Sequence, residues 1–488
     1  MIYKKLLVLA CFLITLTSFS QKLINQIPLR LKANRDVFQI VNDSSKEATI
    51  FLSDRKVLTA LRVNQSMHVM DSIITERPDT KYKDMFGFTR NNSNPAIYWT
   101  TKKHDEVYAQ YLDFNTKTVT TKIFPFPIDE EKYLESVSIN DKLYIIYSVN
   151  NSNNLKLHVF DTKGNLETKT ISLSQFNILD SNLQTKLLPS IIKLDNDLFE
   201  KHILKFKNNI LQKIEDKIPS SLVDSSKKNK LYVTSKNIIF TFDNNTSLTQ
   251  MILIDLDTFE PSYREFKKNN LSLLPGGNSN SFLYKDILYQ MELNSEKLFL
   301  TIKDLNDQVL KTYEANAKEP IAFKNSEIVQ DGGYYSSHRI LERTRQYLRK
   351  VNNADCGLSL YELNGTLLIT MGSVDEISGG GFGMGFGGLV FGGVGAAGGM
   401  PIPFSYNPVY NSFNSYKTNK IVSIKCLFDN NFGHVEGKTE PIAFDKIRKY
   451  LEDNPDKKCE TIFQIDNNYI LGYYESDARL YLLRQFQD

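Results

Sequence analysis

The chain has 488 residues, of which 41% are hydrophobic, 24% charged and 11% aromatic. That balance excludes a disordered, collagen-like or disulfide-knotted chain, and a formal charge of +3 gives no general attraction to nucleic acid or anionic lipid. The glycines are unevenly placed, with 12 of the 24 between Gly379 and Gly399.

At the N-terminus, Lys4 and Lys5 precede an apolar run from Leu6 to Thr17, and Ser18 and Ser20 supply small residues just before Gln21. This pattern predicts a signal peptide over 1–20, too short for a comfortable membrane span. The apolar core followed by Ser-Phe-Ser-Gln resembles the export signals of Bacteroidota. Cys11 reads as part of that core rather than as a lipidation site. The expectation is an exported chain, in the periplasm, at the cell surface or outside the cell, with no transmembrane span after cleavage. Its cysteines, Cys356, Cys426 and Cys459, match no zinc-ligand spacing. An oxidising compartment permits one disulfide among them, and an odd count leaves one thiol over.

Strand signals follow in a repeating paragraph. Ala96–Trp99, Val107–Leu112 and Val119–Ile123 are β-branched and aromatic segments separated by Asn, Asp and Gly turns. Lys142–Val149, Leu155–Phe160 and Leu166–Ile171 repeat them, as do Ile238–Phe242, Met251–Ile254 and Tyr263–Phe266, and then Ile287–Met291, Leu298–Ile302 and Val309–Tyr313. The turn before the last strand of each unit falls at Gln65, Asp113, Asp161, Asn209, Asp257 and Asp304, a spacing close to 48 residues. Leu358–Glu362 and Thr366–Thr370 begin a further unit that resumes, after an insertion, at Ile421–Phe428. Glu460–Gln464, Tyr469–Tyr474 and Arg479–Phe486 end the chain one strand short, and Lys22–Leu31 is the candidate to supply it.

Units of this length with about four short strands each resemble the blades of β-propeller proteins. The resemblance implies an all-β fold: a single propeller domain over 21–488, of seven or eight four-stranded blades closed by the N-terminal strand. The count is seven if the weak unit around Asn209 is an insertion. Two segments between strand units read as short helices, a basic one over 338–350 and an amphipathic one placing Phe444, Ile447, Tyr450 and Leu451 on one side.

Catalytic signatures are sparse. The six histidines are scattered, and His158 alternates with Leu157 and Val159 on a strand, as a packed or solvated residue would. Gly383, Gly385 and Gly388 match a dinucleotide-loop pattern in a stretch where half the residues are glycine, so the match carries no weight. The turn aspartates suit hairpins, where Asp and Asn bond their own backbone, better than a calcium loop. No catalytic residue, metal or cofactor is assigned.

The insertion over 377–416 carries no charge. Its glycine-rich half contains Phe382, Phe386 and Phe391, and its Pro/Asn/Ser half contains Phe404, Tyr406, Tyr410, Phe413 and Tyr416. Such adaptable apolar and aromatic groups suit contact with a protein or a sugar face. A second candidate surface is the basic segment with Arg339, Arg343, Arg345 and Arg349. The expected function is therefore a non-catalytic binding or scaffold protein recognising an envelope protein or glycan. The alternative is a secreted hydrolase of polysaccharide or peptide, with acidic residues gathered at the propeller channel.

Overall fold

The computed structural model describes residues 21–32, 36–126, 130–192, 211–215, 218–269, 271, 276–332, 338–376 and 419–488. The predicted signal segment 1–20 and the insertion aromatics Phe382, Phe386, Phe391, Phe404, Tyr406, Tyr410, Phe413 and Tyr416 lie outside them. The described residues are all-β, with thirty strands in seven sheets and a few short helices.

In chain order, β1 (Gln21–Pro28) precedes the sheet β2 (Asp36–Asn42), β3 (Glu47–Ser53), β4 (Val57–Val63) and β5 (Val69–Glu76). The next sheets are β6 (Tyr82–Asn91), β7 (Asn94–Thr101), β8 (Glu106–Asp113) and β9 (Thr118–Pro125), then β10 (Glu131–Ile139), β11 (Lys142–Val149), β12 (Asn154–Phe160) and β13 (Leu166–Ser172). A five-stranded sheet holds β14 (Leu211–Ile214), β15 (Asn229–Val233), β16 (Asn237–Phe242), β17 (Leu248–Asp255) and β18 (Pro261–Lys267). It is followed by β19 (Asn278–Tyr284), β20 (Ile287–Leu293), β21 (Lys297–Lys303) and β22 (Val309–Asn316). The second five-stranded sheet contains β23 (Ile328–Asp331), β24 (Arg339–Leu341), β25 (Asp355–Leu363), β26 (Thr366–Glu376) and β27 (Asn419–Phe428). The last holds β28 (Lys458–Ile465), β29 (Asn468–Glu475) and β30 (Leu480–Phe486), with β1 as its fourth strand.

The described residues form two compact units. One joins the chain up to Pro78 with Glu440–Asp488, and the other spans Asp79–Thr439. In the smaller unit, β1 pairs antiparallel with β30 from Gln21↔Phe486 to Pro28↔Leu480, as the truncated last unit of the sequence predicts. Its core includes Ile50, Leu52, Phe463, Tyr481 and Leu483. In the larger unit, separate apolar clusters include Tyr98, Phe124 and Phe160, then Ile146, Leu157 and Phe240, then Leu300, Leu358 and Ile424.

One rule of sequence explains these sheets. Middle strands such as β7 and β11 are buried along nearly their whole length, so both faces are apolar. The outer strands β9, β13, β18 and β22 are exposed or half-buried except for one buried residue near the end: Phe124, Ile171, Phe266 and Ala315. Their lysines Lys122, Lys169, Lys267 and Lys311 place charge on a sheet edge that would otherwise pair with another chain.

The turn oxygens work locally. Asp113 Oδ1 accepts the Asn115 N–H at 2.9 Å, and Asp161 Oδ1 accepts those of Lys163 and Asn165, both at 2.8 Å. Asp304 Oδ1 does the same for Asn306 at 2.8 Å and Gln308 at 2.9 Å. At two turns the acting residue is a neighbour of the one the spacing marks. Asn64 rather than Gln65 accepts the Ser66 and His68 N–H groups, and Asp255 rather than Asp257 accepts those of Asp257 and Thr258. These backbone donors hold the carboxyls of Asp113, Asp255 and Asp304 below the usual carboxylate range.

Asn209 lies outside the described residues, and β14 pairs parallel with β15, so among the described residues one sheet, β14–β18, lies between β13 and β19. Two expectations change. The basic segment is part strand and part helix. Arg339–Leu341 pairs with Ile328–Gln330, and the helix α3 runs over Thr344–Asn352, following the shorter α1 (Leu188–Ile191) and α2 (Leu222–Ser225). Ile340 therefore sits exposed on an edge strand, while Thr344, Tyr347, Leu348 and Val351 form the buried helix face. Finally, the outer strands beside β27 come from upstream, in the order β24-β23-β27-β26-β25. The second expected helix is present as α4 (Ala443–Asp453), with Phe444, Ile447 and Leu451 buried.

Cys356, Cys426 and Cys459 are not joined by disulfides, and the first two are fully buried on β25 and β27. Burial raises the pKa of both of these thiols and so disfavours the reactive thiolate. A thiol reagent should therefore label Cys459 in the folded protein, and Cys356 and Cys426 only after denaturation. Mass spectrometry of the labelled peptides reads this directly, and rapid native labelling of Cys426 would contradict the packing.

Candidate functional site

Of the sequence candidates, Arg339 stands at one end of the sheet formed by β23 to β27. Directly paired residues of antiparallel strands share a face, and faces alternate along each strand. The register pairs Arg339 with Gln330, Gln330 with Val422, Val422 with Ser373, and Lys420 with Asp375. Arg339, Gln330, Lys420 and Asp375 therefore stand on one face. The same register puts Cys356, Leu358, Met371, Ile424 and Cys426 on that face, where they are buried. Helix α3 packs over these residues, and the buried Tyr347 hydroxyl donates to the Met371 carbonyl at 3.1 Å.

Lys350 follows Tyr347 by three residues and so extends the helix cover toward the charged end of the face. Partial burial lowers its ammonium pKa, and the positive charges of Lys420 and Arg339 lower it further, while Asp375 opposes them. The Asp375 carboxylate lies 3.6 Å from the Lys420 ammonium. Among the described residues, neither Arg339 nor Lys350 has an ion-pair partner. Beneath them Gln330 is only 8% exposed, and its Oε1 accepts no hydrogen bond. The last pair of β26 and β27 is Glu376↔Asn419, so the segment 377–418 is joined to the sheet at this same end.

The other basic candidates are placed differently. Arg343, Arg345 and Arg349 lie exposed along α3, and Arg345 faces Glu296 at 3.9 Å. His338 donates or accepts at 2.7 Å with Asp331, which pairs with Ile421 on the opposite face. Lys350 belonged to the predicted basic segment, but Lys420 and Gln330 were missed. Lys420 had a faint signal as one of the first charges after an uncharged run.

A second polar cluster has no counterpart in the sequence reading. Asp243 lies between two fully buried ammonium groups, with Oδ2 3.5 Å from Lys230 Nζ and Oδ1 3.6 Å from Lys268 Nζ. Its oxygens also accept Thr249 Oγ1 at 2.7 Å, Ser281 N at 3.0 Å and Ser281 Oγ at 2.7 Å. Lys230 donates to Asn280 Oδ1 at 2.6 Å, and Lys268 donates to the Asn245 carbonyl at 2.7 Å. Burial alone would raise the Asp243 carboxyl pKa, but the two lysines hold it down at about 2. Burial lowers Lys230 to about 8 against the pull of Asp243. Since Ser281 and Asn280 belong to β19, the cluster ties the sheet of β14–β18 to that of β19–β22. Its groups satisfy one another inside the protein, which is a structural role.

Carboxyls of other kinds stand elsewhere. Burial raises those of Glu135 and Glu292 in the larger unit, and lifts Glu460 on β28 of the smaller unit to about 7. His158 is packed, with Nδ1 2.9 Å from Thr168 Oγ1 and Nε2 3.6 Å from Glu131. His104 stacks on Tyr133 with ring centroids 3.9 Å apart, and burial lowers it to about 4. Among the described residues, no three His, Cys, Asp or Glu side chains are grouped to hold a metal ion.

No protein-family model matches the sequence, and no curated protein matches it. Among solved structures the chain is similar to a Synechocystis apocarotenoid oxygenase, at 9% identity over 57% of this chain and 61% of that one, with a TM-score of 0.29. It is similar to a prolyl endopeptidase at 9% identity over 82% of this chain and 54% of that one, with a TM-score of 0.31. It is also similar to Kluyveromyces lactis Hsv2 at 9% identity over 93% and 98% of the two chains, with a TM-score of 0.33. The matches thus span about three-fifths of the oxygenase and half of the endopeptidase. At these scores and identities they assign this chain neither a fold nor an activity.

Proposed function

We propose that the chain is an exported seven-bladed β-propeller, closed by β1, that acts as a non-catalytic binding or scaffold module for an envelope protein or glycan. The contact is the end of the β23–β27 sheet together with the uncharged Gly/aromatic segment beyond it. The observation that supports this reading is the register pair Glu376↔Asn419. A 42-residue excursion spanning 377–418 starts and ends at two directly paired residues, so the hairpin can be closed beneath it without disturbing the sheet. Within it the stretch 377–416 lacks the charges usual in a solvated loop, which fits a partner-facing role.

Replacing 377–418 by a short Asn-Gly turn should shift the melting temperature by no more than about 2 °C, within the usual range for a surface change. The same replacement should abolish capture of the partner from a cell-envelope extract. A large loss of thermal stability would make the segment part of the core and end this reading.

A further inference from the structure

Resting on that reading of the β23–β27 end as a contact surface, we propose that it takes an acidic sugar. One anionic group of the sugar is held among Lys350, Lys420 and Arg339, and a neighbouring hydroxyl donates to Gln330 Oε1. Three cations share this end with Asp375 as their local counter-charge, and Asp375 is engaged at 3.6 Å by Lys420 alone. Like charges brought together without pairing are unfavourable in the free protein and become favourable when an anion bridges them. That accounts for the anion and leaves Gln330.

Its carboxamide is buried and its oxygen accepts nothing, although a buried acceptor left unmade costs more than a hydrogen bond returns. The missing element is a neutral donor within reach of the anion site. A uronate residue, or another sugar bearing an acidic group beside free hydroxyls, carries both. A fully deprotonated oxyanion such as sulfate carries no such donor. A lipid surface would neutralise the cations without reaching a buried carboxamide.

The test is isothermal titration with trigalacturonate, with galactotriose as the neutral counterpart, sulfate as the bare anion, and phosphatidylglycerol vesicles as the anionic surface. Trigalacturonate should bind, and the other three should bind at least about tenfold more weakly, the loss expected from one charge-assisted hydrogen bond. The double variant Lys350→Gln, Lys420→Gln should weaken trigalacturonate about tenfold or more, and Gln330→Met should weaken it several-fold. Removing the same charge elsewhere, with Lys117→Gln and Lys122→Gln, should change nothing. Circular dichroism melts confirm that each variant is folded.

Equal binding of galactotriose, or of sulfate or vesicles, would overturn the acidic-sugar assignment, as would undiminished binding by the Lys350/Lys420 variant. A chain that loses its envelope partner on deletion of 377–418 but binds no trigalacturonate sinks this inference alone. Binding of trigalacturonate by a chain that captures no envelope partner would keep the site and remove the envelope partner from the functional reading.

Discussion

Asp243→Ala should destabilise the larger unit by about 3–5 kcal/mol, the cost of leaving buried charge uncompensated. The substitution strands Lys230 and Lys268, both fully buried, and removes the acceptor for Thr249, the Ser281 hydroxyl and the Ser281 N–H. Because Ser281 lies on β19, the loss falls at the joint between two sheets and should lower the cooperativity of unfolding as well as its midpoint. Urea titration followed by tyrosine and tryptophan fluorescence measures both. Removing all three charges together, as Lys230→Met, Asp243→Leu and Lys268→Met, should cost much less than Asp243→Ala, because no charge is then left unpaired. If Asp243→Ala costs under about 1 kcal/mol, the usual range of a surface pair, the cluster holds nothing together.

A pH-dependent effect of similar size is expected at Glu460. Burial lifts its carboxyl to about 7 from an ordinary 4.5. Between those values the unfolded chain has lost the proton while the folded chain keeps it, so folding stability falls as pH rises through this window. The full loss is about 3 kcal/mol above pH 7, taking 1.36 kcal/mol for each unit of difference. Glu460→Gln carries no proton to lose. It should match the wild type near pH 4 and be more stable by up to about 3 kcal/mol at pH 8. Thermal melts of the two proteins across that range should diverge with rising pH, and parallel curves would mean that the carboxyl is solvated.

Strand after strand was legible because its causes lie within a few residues. The run from Lys142 to Val149 is dominated by aliphatic and aromatic residues and is a central strand from end to end. Asp113, Asp161 and Asp304 mark their turns because each carboxylate bonds N–H groups two to four residues away. The same locality explains the small errors at Gln65 and Asp257, where a neighbouring Asn or Asp performs the task. Arg339–Leu341 was misread because it carries the spacing of a helix turn, while its conformation is set by pairing with Ile328–Gln330 across a loop.

The candidate site was legible in part for the same reason. The sequence marked Arg339 and the adjacent uncharged segment, since composition is visible without a fold. It could not join Arg339 to Lys420, or show that Gln330 is buried between the outer strand and Val422. Those relations depend on β27 pairing with a strand about ninety residues upstream. Glu460 and Asp243 gave no warning either, because a carboxyl's pKa depends on what surrounds it.

By itself the sequence determined an all-β chain of repeated antiparallel units, the turn oxygens that punctuate them, and the N-terminal strand that completes the last sheet. Alternation, β-propensity and turn hydrogen bonds act over short spans, and an unfinished unit leaves a strand to be found. Only the tertiary structure decided that the described residues make seven sheets, that β23 and β24 flank β27, and that Lys230, Asp243 and Lys268 meet out of water. Each of those outcomes rests on register and burial between segments distant in the chain, where the energies are large and the residues bringing them about are individually ordinary.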